Sequence, residues 1–465
     1  MEPHRRWMPR RQLLAAGAAA GGLLGSQALA SHPVIARALA ALPACGSLRD
    51  IEHVVLLIQE NSSSDHYFGT YRGVRRFAEP TAPRLRNGSG LNVFAQPGFS
   101  AAGYDGYLRP FHIGSCNNGE CTSDISRSWG PQHSYAMSGT PDPDARAGGP
   151  ILSTSSTSST RVDRYGKLTW ATMPEHLEPH RITWKVRGST DGNYGDNVLP
   201  HYKNLLQNPP LPAKALLPSF PGTFPLDTLL GTRPAVSWIV APLLASEHPP
   251  APVEFGETTS AAVVRALTAN PVASARTALF ITHDENGGFF DHVPPPPTSP
   301  PGTAGELLSL SPSPADAGGF RGPSGLGFRV QRLVVSPFTR GGFVCSDTFD
   351  HTSLLRFLET RVGVEVPNLT SWRRSVTGDL TTGFNFAAPD RGVPQLPRPT
   401  LLDIRVLLST CLTAAPPSLV TELSTTLSGL ESTVLAPYPL APPQSQPAQA
   451  PGRAAPPSEP VPCPR

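Results

Sequence analysis

Two groups of acidic and amide side chains follow continuous apolar runs of the sequence. Glu60 and Asn61 follow one run, and Asp284 and Glu285 follow another. Ligands of open α/β sheets bind outside the carboxyl ends of the strands, so we expect these four side chains to converge. Three carboxylates and an amide oxygen suit a divalent cation, which can bind a phosphoryl oxygen and stabilise charge on an attacking or leaving oxygen.

Each group has a simpler interpretation when it is taken alone. Acidic and amide residues at strand ends often cap the next helix, and Asn61 or Asp284 could serve that purpose. Gly287 and Gly288 follow the second group and allow a sharp turn or a close backbone approach. The joint occurrence of the two groups, together with the resemblance described below, favours the cation site.

Two histidines are candidates for proton transfer or phosphate binding. His351 follows one predicted strand and precedes an apolar helix, so its ring can point into the same cleft. The alternative is a histidine that only forms local hydrogen bonds at a helix start. His292 follows Asp291, which could orient it, or it is a packed surface residue before Pro294.

The elements that must position these residues are apolar strands alternating with amphipathic helices. This alternation predicts an α/β layered fold with a mostly parallel central sheet. The predicted strands span 52–58, 182–186, 236–240, 277–282 and 332–336, and clear helical patterns span 258–269 and 352–361.

Composition divides the 465 residues into three parts. Residues 1–45 are predicted to be a signal peptide and linker, 46–435 the globular domain, and 436–465 a disordered Pro/Ala-rich tail. A Pro/Gly/Ser-rich stretch at 298–327 is interpreted as a surface insertion. The formal net charge is only +3, and no basic stripe with interleaved aromatic residues occurs, so nucleic acid is not expected as a partner.

The amino terminus indicates export. The order Arg-Arg-Gln-Leu-Leu at 10–14 precedes a small-residue apolar stretch at 15–24, and Ala28-Leu29-Ala30 supplies a cleavage site. The arginine pair resembles a twin-arginine signal, and the alternative is an ordinary secretion signal. We therefore expect the twin-arginine export machinery as a partner, and a cell-wall or secreted location.

Three long motifs resemble those of the bacterial phosphoesterase family, which contains phospholipases C and a branch of acid phosphatases. They are QENSSSDHYFGT from Gln59, HDENGGFFDHVPPP from His283 and SPFTRGGFVCSDTFDHTSLLRFLETRVGV from Ser336. The resemblance is greatest to mycobacterial-type phospholipases C and extends from about Leu48 to Pro389. It implies an alkaline-phosphatase-like fold with helices on both faces of the sheet.

The resemblance also implies roles for the candidate residues. Glu60, Asn61, Asp284 and Glu285 would bind one divalent metal ion, with Ca²⁺, Mg²⁺, Mn²⁺ and Zn²⁺ all open. The family's catalytic histidines correspond to His292 and His351, which would contact the phosphate or protonate the leaving group. The implied substrate is a choline-type phospholipid at a membrane surface, cleaved to diacylglycerol and a phosphorylated head group.

The sequence departs from the family where the nucleophile is expected. The GPTxPNR motif that carries the nucleophilic Thr or Ser is missing, which indicates an internal deletion near 135–137. Arg127 stands in place of one family histidine, whereas His133 matches the next. The nucleophile is therefore unknown, with Thr140 and Ser138 as nearby hydroxyls.

Three functional hypotheses follow. The first is an exported phospholipase C, impaired by loss of the nucleophile segment. The second is a catalytically inactive remnant, either a surface-binding protein or the product of a decaying gene. The third is a phosphomonoesterase of the acid-phosphatase branch, which the mycobacterial-type matches in 138–186 disfavour.

Overall fold

The computed structural model describes residues 33–78, 84, 90–100, 103–108, 132–152, 166–188, 196–241, 245–248, 253–287, 289–312, 321–393 and 453–454. The strands are β1 His53–Gln59, β2 Gln96–Ser100, β3 Gly103–Leu108, β4 Trp184–Arg187, β5 Val236–Val240, β6 Thr277–His283, β7 Leu307–Leu308, β8 Gly322–Pro323, β9 Arg332–Val335, β10 Phe343–Val344 and β11 Arg453–Ala454.

The central sheet has five strands in the order β4-β5-β1-β6-β9. Four of them run parallel, and only the edge strand β9 is antiparallel, pairing with β6. In the register of β1 and β6, Gln59 lies opposite His283. The residues that follow, Glu60 and Asp284, therefore leave the same edge of the sheet side by side, as expected for neighbouring parallel strands.

Helices surround this sheet. They are α1 Pro33–Ala40, α2 Ser64–Phe68, α3 Gln132–Ser138, α4 Met173–Leu177, α5 Lys203–Gln207, α6 Leu211–Leu216, α7 Phe224–Leu229, α8 Val253–Thr268, α9 Pro271–Ser274, α10 Thr352–Val362 and α11 Ser371–Val376. Short 3₁₀ helices span Leu48–Asp50, Leu199–His201 and Thr381–Gly383.

Two separate hydrophobic clusters cover the two faces of the sheet. Alternate residues of β1 face opposite sides, so Leu56 belongs to one cluster and Leu57 to the other. The first cluster includes Phe357 of α10, and the second includes Val263 of α8 and Phe224 of α7. The predicted α/β fold, with a mostly parallel sheet between two helical layers, is confirmed.

The predicted strands and helices are all present. The strand predicted at 332–336 differs in environment, because β9 is a partly exposed edge strand rather than a buried parallel one. The helix predicted at 258–269 begins earlier, at Val253. Within the described residues, no helix is long and apolar enough to cross a membrane.

The Pro/Gly/Ser-rich stretch at 298–327 does more than cover the surface. Its described part contains the short hairpin of β7 and β8 and carries Glu306, which is 1% exposed. Glu306 accepts hydrogen bonds from Arg373 of α11, which hold this stretch to the domain. The predicted signal peptide and, apart from Arg453–Ala454, the predicted tail lie outside the described residues.

Candidate active site

Four buried side chains meet at the carboxyl edge of the sheet, and we call them the carboxylate pocket: Glu60, His133, Asp196 and Asp284. All four are at most 5% exposed in their side chains. Glu60 follows β1, Asp284 follows β6, His133 lies on α3, and Asp196 precedes the 3₁₀ helix Leu199–His201.

The imidazole of His133 faces the three carboxylates. Its Nε2 atom lies 3.7 Å from Asp284 Oδ2 and 3.9 Å from both Glu60 Oε1 and Asp196 Oδ1. These separations exceed hydrogen-bond distance. Among the described residues, neither ring nitrogen of His133 has a hydrogen-bond partner. A buried imidazole in such surroundings is suited to a ligand that reaches all four groups.

Helix α3 is fixed from two sides, and this places His133. The indole Nε1 of Trp238, on β5, donates to the carbonyl of Ala136 at 3.2 Å. On another side, the guanidinium of Arg373 donates to the hydroxyl of Tyr135 at 2.9 Å and lies over its ring. The helix therefore cannot move relative to the sheet edge without breaking buried contacts.

The backbone around Asn61 holds the two acidic motifs together. Asn61 has φ of +47°, and its N–H donates to Asp284 Oδ1 at 2.8 Å. Glu285 N–H donates to the same oxygen at 2.7 Å. A Cβ on Gly287 would lie 2.6 Å from the Cβ of Asn61, so glycine is required for this close approach.

Burial and mutual charge set the protonation of the carboxylate pocket. Burial, then the charges of Asp196 and Asp284, raise the pKa of Glu60 well above its usual range. Burial also raises the pKa of Asp284, but contacts with His133 and the Asn61 N–H outweigh it and lower the pKa. Burial lowers the pKa of His133, yet Asp196 and Asp284 outweigh it and raise the pKa.

His351 lies directly before α10 and reaches back to β6. Its Nε2 atom donates to the backbone carbonyl of His283 at 2.9 Å. Burial, followed by the charge of Arg332, lowers the pKa of His351 to about 4. At neutral pH the ring is thus uncharged, and Nδ1 remains as the acceptor nitrogen.

His292 belongs to a second buried cluster. Its Nδ1 lies 2.7 Å and 2.8 Å from the two carboxylate oxygens of Asp65. Arg329 binds Asp65 at 2.9 Å and Asp291 at 3.2 Å, so a guanidinium already occupies the position between these carboxylates. Asp65, rather than Asp291, therefore orients the His292 ring, which also stacks on Phe94 with ring centroids 5.1 Å apart.

The two hydroxyls considered as nucleophiles are engaged elsewhere. Ser138 Oγ lies 2.9 Å from Tyr202 Oη and accepts a hydrogen bond from Trp170 Nε1 at 3.0 Å. Thr140 Oγ1 accepts from the N–H of Asp142 at 3.0 Å. The hydroxyl of Ser138 is thus held in a structural hydrogen-bond network, which disfavours its attack on phosphorus.

The carboxylate pocket fits a single metal ion. The ligand atoms of Glu60, His133 and Asp196 all lie within 4.8 Å of one another. Metal–ligand bonds of about 2.0 to 2.4 Å place ligands at most about 4 to 4.8 Å apart. The unpartnered imidazole and the mutually repelling carboxylates are the groups that a cation would satisfy. The Asp65–His292 cluster fits a metal poorly because Arg329 neutralises it.

The match to known proteins is extensive. The Phosphoesterase family model matches residues 51–135 and 130–365. The chain belongs to the phosphoesterase family. It is 38% identical to the non-hemolytic phospholipase C of Burkholderia pseudomallei, over 81% of this chain and 65% of that protein. It is also 35% identical to phospholipase C B of Mycobacterium tuberculosis, over 85% of this chain and 89% of that protein.

A third relative is the non-hemolytic phospholipase C of Pseudomonas aeruginosa, 33% identical over 91% of this chain and 70% of that protein. A solved structure from Vibrio parahaemolyticus, titled as a protein in the alkaline phosphatase superfamily, matches 81% of this chain with 11% identity and a TM-score of 0.27. The fold class rests on the sheet topology and not on this match.

Sequence reasoning located half of the carboxylate pocket. Glu60 and Asp284 were predicted as metal ligands and do meet there, with the Asn61 N–H bound to Asp284. Asp196 was missed because it lies outside any strand or helix. His133 was noted as a family match, but its sequence position did not reveal that it faces the carboxylates. The metal-binding roles of Asn61 and Glu285 stay predictions.

Proposed function

We propose that this chain is a metal-dependent phospholipase C that hydrolyses phosphatidylcholine-type lipids to diacylglycerol and a phosphorylated head group. The observation that carries the proposal is the carboxylate pocket, at the sheet edge where Glu60 and Asp284 leave neighbouring parallel strands. The relatives named above are phospholipases C and align with most of this chain, and the substrate class is inferred from them.

The donor set of the pocket constrains the cofactor. We infer one divalent ion held by Glu60, Asp196, Asp284 and His133. Carboxylates suit Mg²⁺, Ca²⁺ and Mn²⁺, whereas imidazole suits Zn²⁺ and other transition metals, so this mixed set favours Zn²⁺ or Mn²⁺ over Ca²⁺. When bound, such an ion supplies Lewis-acid stabilisation of the phosphoryl group.

The attacking group is the point at which this chain differs from its relatives. The 474 aligned positions with the M. tuberculosis protein contain 85% of this 465-residue chain, about 395 residues, so about 79 positions of the alignment have no residue of this chain. The family match also divides at residues 130–135. Both findings support loss of the nucleophile segment, and we propose water as the attacking group.

With water as nucleophile, its oxygen attacks phosphorus, the bond from phosphorus to the glycerol oxygen breaks, and the proton that the water loses is released to solvent. The departing glycerol oxygen needs a proton, and we assign its delivery to His292. The contact with Asp65 fixes the ring orientation, as a carboxylate partner does for a catalytic histidine. Loss of covalent attack slows turnover by several orders of magnitude relative to intact family members.

The test is hydrolysis of phosphatidylcholine vesicles by the mature chain, with diacylglycerol and phosphocholine measured separately. We expect both products in equal amounts, no burst of the first product, and complete loss of activity with chelator. Faster cleavage of a chromogenic phosphomonoester than of the matching phosphorylcholine diester would instead assign the chain to the acid-phosphatase branch. A folded, metal-loaded protein without turnover would make it a remnant.

Export is the remaining part of the proposal. We infer that the chain is exported by the twin-arginine pathway to the cell wall or the medium, because Arg10-Arg11 precedes a short apolar stretch. Replacement of both arginines by lysine is expected to retain the protein inside the cell. Continued export of that variant would contradict the inference and indicate ordinary secretion.

A further inference from the structure

A cavity of about 370 Å³ lies away from the carboxylate pocket. In its wall, Thr183 directly precedes β4, and Pro234 lies two residues before β5. These positions are at the amino ends of the parallel strands, whereas Glu60 and Asp284 follow the carboxyl ends of β1 and β6. The cavity thus begins at the opposite edge of the sheet and extends along β4, which contributes Lys185 and Arg187 to its wall. Its volume falls within the range of about 300 to 1,000 Å³ typical of small-molecule sites.

The charges in the wall are mostly positive. Lys185, Arg187 and Arg233 contribute three cationic groups, and Asp227 contributes one carboxylate. Arg187 Nη1 lies 2.6 Å from Asp227 Oδ2, so this carboxylate is already paired with one of the three. Lys185 and Arg233 therefore line the cavity without an ion pair to a carboxylate among the described residues of its wall.

Arg233 is the most informative of these residues. It is only 4% exposed, and its Nη2 atom donates to Thr277 Oγ1 at 3.0 Å. Among the described residues, its Nε and Nη1 atoms have no hydrogen-bond acceptor, and Nε of Arg187 has none either. Buried donors without acceptors are costly, and a buried guanidinium without an anion is more so.

The electrostatics of the wall agree with this geometry. Burial, and then the charge of Arg187, lowers the pKa of Arg233 to about 9. Burial and Arg187 also lower the pKa of Lys185. The cationic groups repel one another, and an anion between them would relieve that repulsion.

We propose that this cavity is an anion site for the phosphate group of a small phosphomonoester, inorganic phosphate or a lipid head group, held by Arg233, Arg187 and Lys185. The planar guanidinium presents parallel N–H donors that match two oxygens of a phosphate. The hydroxyls of Thr183 and Thr232 in the wall add uncharged polar groups. The site is separate from the metal centre and does not depend on it.

The primary test is calorimetric titration with inorganic phosphate and with glycerol 3-phosphate, at low salt, on the Glu60→Ala chain in the presence of chelator. This background removes phosphate binding at the carboxylate pocket. We expect one saturable site that weakens at least tenfold in Arg233→Met. Lys185→Gln is expected to weaken it several-fold, and Lys203→Gln, an exposed lysine outside the cavity, to leave it unchanged.

The Asp227→Asn variant distinguishes anion binding by the cationic side chains of the wall from a purely structural role of these side chains. Removal of the Asp227 carboxylate is expected to tighten phosphate binding several-fold, whereas a structural ion pair predicts only loss of stability. Lys185 is partly exposed, so Lys185→Gln gives a folded test protein if Arg233→Met does not fold.

Vesicle sedimentation identifies the source of the phosphate. Binding to phosphatidylglycerol vesicles that requires Lys185 and Arg233 would assign the site to a lipid head group, and binding only to the soluble phosphates would assign it to a free ligand. Absence of saturable binding in both arms, or binding that is equal in the native, Lys185→Gln and Arg233→Met cavities, would overturn the proposal.

Discussion

His133 Nε2 and Asp284 Oδ2 lie 3.7 Å apart in a fully buried pocket. This separation is too long for a hydrogen bond and is suitable for two ligands of one cation. The two residues come from different parts of the fold, since His133 lies on α3 and Asp284 follows β6. The sequence alone gave His133 no role, whereas it identified Asp284 as a candidate metal ligand. The structure places the two side chains in the same pocket.

The first prediction concerns His133 as a metal ligand. His133→Ala removes the only nitrogen donor of the carboxylate pocket, so metal affinity is expected to fall at least tenfold, with the largest loss for Zn²⁺. Metal content after dialysis, measured by mass spectrometry, checks this without reference to activity. The control is His180→Ala, an exposed histidine, which should retain native metal content. Equal metal content in both variants would contradict the assignment.

The second prediction concerns the approach of Gly287 to Asn61. Gly287→Ala places a Cβ 2.6 Å from Asn61 Cβ and is expected to displace the Asn61 N–H from Asp284, with metal affinity lowered about 10- to 100-fold. Gly302→Ala is the matched control, because Gly302 also has positive φ but open space around it. Both variants carry backbone strain of about 1 to 2 kcal/mol, and only Gly287→Ala should lose metal. Equal metal binding by the two would refute this role.

The third prediction compares two adjacent arginines of α11. Arg373 is 2% exposed in its side chain and joins Glu306, Asp350 and Tyr135, whereas Arg374 is 29% exposed and pairs with Glu359. Arg373→Met leaves buried carboxylates without a counterion and is expected to lower the free energy of unfolding by about 3 to 5 kcal/mol. Arg374→Met should lower it by at most about 1 kcal/mol. Denaturant unfolding measures both, and similar losses would contradict the structural role.

The fourth prediction concerns the acid sensitivity caused by His351. Its folded-state pKa of about 4 lies below the ordinary value of 6.5, so the folded protein disfavours the charged ring. The neutral ring's contribution to stability is therefore fully present above pH 6.5 and is lost as pH falls from 6.5 towards 4. His351→Gln keeps a donor for the His283 carbonyl but cannot titrate, so its stability should fall less over that interval. Parallel acid-unfolding curves would contradict this prediction.

The sequence predicts those parts of the fold in which a continuous apolar run corresponds to a strand that is buried on both faces of the sheet. Residues 54–58 of β1 are all apolar because the strand is covered on both faces, which is why strand, burial and parallel pairing could be predicted together. The edge position of β9 was not predictable in this way, because its apolar residues are partly exposed and resemble a buried strand in sequence.

The site follows the same logic. Glu60 and Asp284 were found because they directly follow strands, whereas Asp196 lies in irregular chain and carries no local signal. The sequence offered Asp291 as a carboxylate that could orient His292 because the two are neighbours in the chain, whereas Asp65 contacts the ring only through the tertiary fold. Glu306 is buried by tertiary contacts, although the composition of its stretch indicated a surface insertion.

The most direct test of the metal-dependent phospholipase C assignment is a combined titration of metal content and diester hydrolysis. Metal-stripped mature chain is titrated with Zn²⁺ or Mn²⁺, and phosphorylcholine release from phosphatidylcholine is measured at each point. We expect activity to saturate at one equivalent, with neither binding nor activity in Glu60→Ala and at least tenfold weaker binding in Asp196→Asn. Turnover that is independent of metal, or metal bound at full strength by Glu60→Ala, would contradict the account.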